Sequence, residues 1–197
     1  MKTKRWLFLL IGLSIFLFSG IWAFKKFNFN SSHTIGQPLD SINGICVYYN
    51  GGVNNVTDRN LTEDNYNLGL KYQCVEFVKR YYYEHFNHKM PDSYGHAKDF
   101  FDDKLSDGQK NEKRDLTQYT NSSTSKPKVD DLLIYSGTIF NRFGHVAIVS
   151  NVADNSIEII QQNPGPFSKS REVFSLIEKE GKWTIANNRI LGWLRKE

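Results

Sequence analysis

Tyr72-Gln73-Cys74-Val75-Glu76-Phe77-Val78-Lys79-Arg80-Tyr81 is the stretch on which the reading of the chain turns. Gly69 interrupts what precedes it, and from Gln73 onward no glycine or proline occurs until Pro91. A helix is therefore predicted to begin within a residue or two of Cys74. Cys74, Phe77, Val78, Tyr81 and His85 share the spacing of one helical face, which is expected to look inward. A thiol in the first turn lies among unpaired backbone N–H groups at the positive end of the helix dipole, and both favour the thiolate, the nucleophilic form. A small buried cysteine would fit the same place, so the choice rests on what lies downstream.

There the period becomes that of sheet, in residues 132–135, 145–150, 157–161 and 190–194, with 151–156 and its Asp154-Asn155 as a hairpin connection. Upstream, residues 45–49 read as a strand closed by Asn50-Gly51-Gly52. Residues 53–68 read as irregular, 93–101 as a short second helix, and the polar run 102–128 as a surface excursion. Helices first and an antiparallel sheet after predict an α+β domain with a helix N-terminus set against a sheet.

His145 opens its strand directly after Gly144 and shares a face with Ala147 and Val149. On the partner strand Ile157, Ile159, Gln161 and Asn163 share a face, so a polar pair ends an apolar row. If His145 and Gln161 are neighbours, the Gln161 carboxamide oxygen can accept the imidazole Nδ1–H, leaving Nε2 for the thiol of Cys74. Nucleophile, base and orienting group is the constellation that acyl transfer needs. Taken singly, His145 reads equally as a satisfied core histidine, and Gln161 and Asn163 as strand-end polar residues. His85 and His88 form an H-x-x-H pair without a third ligand at a diagnostic spacing, so neither metal nor cofactor is expected.

The 197 residues suffice for one domain with a proper core, and 40% apolar with 14% aromatic content argues against disorder. Lys2, Lys4, Arg5, Lys25 and Lys26 flank a single apolar run, residues 6–24; without them 20 cations face 21 anions, so the body is about neutral and no nucleic-acid partner is indicated. That run has the length of a membrane span. A cleaved signal peptide and an uncleaved anchor compete; the anchor is favoured, because the run is long for a signal and 19–23 makes a poor cleavage site. Either places the body outside the cytoplasm, since the cationic N-terminus tends to stay inside. The predicted organisation is an anchor at 1–26, a polar linker at 27–43 and a catalytic domain at 44–197. Cys46 and Cys74 could form a disulfide in that compartment, which would silence the thiol.

Residues 71–77 (Lys-Tyr-Gln-Cys-Val-Glu-Phe), 144–149 (Gly-His-Val-Ala-Ile-Val) and 160–163 (Ile-Gln-Gln-Asn) resemble, in order, the signatures of the CHAP family of cysteine, histidine-dependent amidohydrolases and peptidases. With residues 44–49 and 190–193, they are most similar to the amidase domain of bacterial glutathionylspermidine synthetase/amidase, over about residues 36 to 195. The resemblance implies a papain-like fold with Cys74 as nucleophile and His145 as base. The family usually carries an acidic third member with Asn two positions on; Gln161 stands at the acidic position and Asn163 agrees. For the oxyanion, the backbone N–H of Cys74 and, as in papain-like enzymes, the side chain of Gln73 are the candidates.

The function expected is thiol-dependent hydrolysis of an amide, most plainly in peptidoglycan peptides, the amide-rich polymer of that compartment. Hydrolysis of a glutathionyl-polyamine or similar small conjugate is the enzymatic alternative, and an inactive wall-peptide-binding relative the non-enzymatic one. Oligomeric state is not legible.

Overall fold

The computed structural model describes residues 2–197. The chain is α+β: an N-terminal apolar helix, a second helix, and antiparallel sheets. Helix α1 (Lys2–Lys26) includes Trp6–Lys26, long and apolar enough to cross a membrane by length and composition. Then come β1 (Pro38–Ile42), β2 (Ile45–Tyr48), β3 (Arg59–Leu61), β4 (Asn67–Leu70) and helix α2 (Cys74–Phe86). A 3-10 turn, Ala97–Phe100, follows, and then β5 (Gln109–Asn111), β6 (Leu116–Thr120), β7 (Leu132–Tyr135), β8 (His145–Val152), β9 (Ser156–Ile160), β10 (Arg171–Lys179), β11 (Lys182–Ile185) and β12 (Ile190–Arg195).

The main sheet has eight strands in the order β11-β10-β9-β8-β7-β12-β6-β5, every neighbouring pair antiparallel. Its centre is β7, whose four residues are all buried because both faces are covered. One face carries Ile134, Val146, Ile148 and Ile160 against Phe77, Val78, Tyr81 and Tyr82 of α2. Those four α2 side chains are wholly buried, and a Val or Phe so placed contributes about 1.5–3 kcal/mol. The opposite face, with Leu133, Ala147, Val149, Ile159 and Trp193, is enclosed as the sheet curls until Ser123, just past β6, exchanges backbone hydrogen bonds with Trp183 of β11 (2.6 and 3.2 Å).

Four expectations need correction. Residues 102–128 are not a surface excursion but supply β5 and β6, tied inward by buried Asn111, Arg114 and Gln118. The stretch 27–43 is not a loose linker: β1 lies in it paired with β2, Asn30 donates to the Pro166 carbonyl (2.8 Å), and Asn28 accepts from the Tyr49 hydroxyl (2.8 Å). Within 53–68, Arg59–Leu61 pairs with Asn67–Leu70. On α2 itself His85 is exposed and Tyr82 takes its place on the buried face. The 3-10 turn Ala97–Phe100 is the short helix of 93–101.

Candidate active site

Helix α2 starts at Cys74, with Gln73 in extended conformation ahead of it. Tyr72 holds a left-handed φ of 65°, uncommon for a bulky residue and a mark of local backbone strain two positions before the thiol. Gly144 is held at φ +77°, and any Cβ there would meet the Tyr135 carbonyl and Lys98. Only glycine fits, and it delivers His145 to the start of β8.

Cys74, His145, Gln161, Gln73 and Asn163 all line one cleft of about 1350 Å³. Both cysteines are free. The Cys74 sulfur lies within reach of the backbone N–H of Val146, the residue after His145. Gln161, buried just past β9, meets the imidazole at 2.8 Å.

The ring is turned opposite to expectation: Nε2, not Nδ1, faces the Gln161 oxygen. The Gln161 amide nitrogen points to the Lys169 carbonyl (3.4 Å) and a Glu172 carboxylate oxygen (3.5 Å), both acceptors, so the oxygen must be the atom turned to His145. His145 is thus the Nε2–H tautomer, and Nδ1 is left as the free acceptor. Sequence alternation places the two residues together; it carries no information on the ring's rotation.

Cys74 and His145 both keep some surface on the cleft wall, but the protein packed around them dominates their titration. Burial pushes the Cys74 thiol from 9.0 up to about 11, against the pull of the N–H groups of Val146, Val75 and Cys74 itself. That corrects the expectation of a stabilised thiolate: the rise corresponds to roughly 3 kcal/mol, whereas a helix end offers about 0.3–1 kcal/mol. Burial also drives the His145 imidazole down to about 4, opposed by the Gln161 hydrogen bond and reinforced by the Arg189 charge. The resting pair is a neutral thiol and a neutral imidazole.

Two further expectations change. Gln73 spends its amide N–H groups on the carbonyls of Val53 (3.2 Å) and Asn55 (2.8 Å), and its oxygen accepts from Asn163 (2.7 Å). No donor remains on that side chain for an oxyanion. Asn163, at φ 58°, donates also to Val53 (2.9 Å) and has no bond to His145; its role is to clamp the 53–55 loop. His85 meets Asn43 (3.2 Å) and His88 the Arg114 carbonyl (2.9 Å), so the H-x-x-H pair is divided between surface and interior.

Sequence reasoning missed Glu76, Gln162 and Glu172. Buried Glu76 pairs with Arg80 (2.6 Å) and accepts from Asn60 (2.8 Å) and Gln162 (2.9 Å). Gln162 also donates to the Gln73 carbonyl (3.0 Å), binding the start of α2 to the end of β9. The i,i+4 Glu76/Arg80 spacing was the one available signal.

A helix-borne thiol and a strand-borne imidazole wall one cleft of this α+β protein. The chain belongs to the CHAP domain family, whose model matches residues 64–163, half the chain, with Gln73, Cys74, His145, Gln161 and Asn163 inside the match. It is similar to trypanothione synthetase of Crithidia fasciculata, 32% identical over 64% of this chain and 20% of that protein. It is also similar to the bifunctional glutathionylspermidine synthetase/amidase of Escherichia coli, 31% identical over 69% of this chain and 23% of that protein. The chain thus spans about a fifth of the length of these relatives. Family membership and likeness to an amidase support a hydrolase acting on an amide bond.

Proposed function

We propose that the protein is a membrane-anchored thiol hydrolase, papain-like in arrangement, that cleaves an amide of peptidoglycan peptides on the extracytoplasmic side. The observation that carries the chemistry is the cleft shared by Cys74 and His145, with Gln161 fixing the imidazole tautomer. The domain would be residues 38–197, taking β1 into the unit expected at 44–197, and α1 the anchor. Support for the orientation is the cationic cluster ahead of residue 6, which the positive-inside tendency keeps in the cytoplasm.

In this mechanism His145 Nδ1 takes the thiol proton as sulfur attacks the amide carbonyl. A backbone N–H at the start of α2 stabilises the oxyanion. The imidazolium then protonates the leaving amine as the C–N bond breaks, giving a thioester. Water, deprotonated by His145, releases the acid and restores the thiol. Gln161 orients the ring as a neutral group, giving the imidazolium less support than a carboxylate would.

Digestion of purified sacculi, followed by mass analysis of the fragments, tests the substrate. New amine and carboxyl ends whose appearance iodoacetamide blocks and EDTA does not are expected. The likeness to a glutathionylspermidine synthetase/amidase favours a second reading, hydrolysis of a small glutathionyl-polyamine conjugate. Turnover of that conjugate with sacculi left intact would replace the first reading by the second.

A pH profile tests the roles. With the imidazole at about 4, the base stays unprotonated through neutrality, so the acid limb of kcat/KM is expected well below the usual histidine range. Gln161→Glu adds a negative charge that favours imidazolium, and so moves this limb upward in pH. Glu172, 3.5 Å from the Gln161 amide, would make the new carboxylate share a proton. The full shift is therefore expected in Gln161→Glu with Glu172→Gln, and an unmoved limb in both variants would refute the orienting role.

A further inference from the structure

The end of α1 is fastened to the body beside the cleft. The Lys25 ammonium donates to the Phe140 carbonyl (2.5 Å), and the Lys25 carbonyl accepts from Asn54 N–H (2.8 Å). A Cβ at Gly52 would collide with the carbonyls of Lys25 and Phe27, so the backbones are in close contact. Phe24 stacks on Phe29 and Phe167, with centroids 5.8 and 6.3 Å apart. Loops 138–143 and 164–168 are therefore held level with the last turn of the helix.

These loops expose large apolar side chains: Ile139 at 98%, Phe140 at 73% and Phe167 at 65%. Scattered apolar residues on a surface need no explanation, but these gather where a candidate membrane helix leaves the body. Arg142 and Lys169 stand two positions from Phe140 and Phe167 in sequence, and Lys26 ends α1. Aromatic and aliphatic tips mixed with cations suit the interface between hydrocarbon and anionic headgroups. At about 1.5 Å per residue, Trp6–Lys26 measures roughly 31 Å, close to the ~30 Å hydrocarbon thickness. That puts Phe24, and with it Phe167, at the hydrocarbon boundary.

We infer that the tips Ile139–Phe140 and Phe167 insert among the anionic phospholipid headgroups of the bilayer that α1 crosses. The inference rests on the proposed reading of α1 as an anchor. Lys25 and Phe140 line the same cleft as Cys74 and His145, so the cleft opens along the lipid surface. The peptidoglycan amides it would meet are then those lying nearest the membrane.

The test uses the full chain in phosphatidylglycerol/phosphatidylethanolamine vesicles, with nitroxide labels on single cysteines in a Cys46→Ser, Cys74→Ser background. Labels go at Phe16 in mid-helix, at Ile139, at Phe167, and at Glu180, which lies past the far end of β10 from Phe167, roughly 30 Å away at ~3.3 Å per residue. At 16, 139 and 167 the accessibility to oxygen over a nickel chelate should exceed that at 180 several-fold. A label at 139 or 167 as water-exposed as at 180, with 16 in the bilayer, overturns the inference and leaves the anchor standing. A water-exposed label at 16 overturns both.

Discussion

Cys74→Ala is expected to lower amide hydrolysis by about 10⁴-fold or more, the scale on which loss of a nucleophile acts, while the unfolding temperature stays within a few degrees of the parent. The two readouts separate because the thiol does not build the helix. Phe77 N–H bonds the Gln73 carbonyl (3.2 Å), and the four buried apolar side chains of α2 follow Cys74. Removing one sulfur from the cleft wall is a change for which about 1 kcal/mol is typical. Activity that survives Cys74→Ala would sink the proposed thioester route. His145→Ala should behave alike, because without a base at Nδ1 a thiol titrating at about 11 yields almost no thiolate at neutral pH.

Glu76→Ala should act on the fold itself. Its buried carboxylate is the partner of buried Arg80 and the acceptor for half-buried Asn60 and buried Gln162. Truncation strands a buried guanidinium, at a cost of about 3–5 kcal/mol, and Tm should fall on the order of 10 °C for a chain of this size. The loss should reach the site as well, since Gln162 adjoins Gln161. Glu76→Gln should fall between, keeping an acceptor for Arg80 and Asn60 but setting an N–H₂ against that of Gln162. Melting of the purified variants decides it: Glu76→Ala within about 1 kcal/mol of the parent would mean this network does not support the domain.

What could be read from the sequence follows the kind of signal each residue leaves. Cys74 is legible as a helix start because an uninterrupted run of side chains follows a glycine. Strands β7, β8, β9 and β12 are legible because their buried residues are apolar up to the buried Arg195 that ends β12. Strands β5 and β6 are not, since their interior is polar: Asn111 donates to Gln118 (3.0 Å), and Gln118 to the Asp102 carbonyl (2.8 Å). Such a core defeats any count of hydrophobic spacing. The meeting of His145 and Gln161 follows from alternation across one hairpin, but which ring nitrogen is used depends on a torsion that sequence does not encode. The likeness to papain-like enzymes points Gln73 at the oxyanion; its partners here are Val53 and Asn55, about twenty residues upstream, and Asn163 far downstream. Residues 27–37 look like a tether because their asparagines are polar, yet those amides serve as fasteners to Tyr49 and Pro166.

The exchange between Ser123 and Trp183 matters beyond enclosing the second core. An outermost strand normally presents a row of free amides and carbonyls that invites a neighbouring molecule to add itself. Here part of that row on β11 is occupied from within the same chain. The opposite margin, β5, is three residues long and carries Lys110, too short and too charged to template a fibre. Crowded side by side, copies of this domain would find little to zip together along the margins of the main sheet.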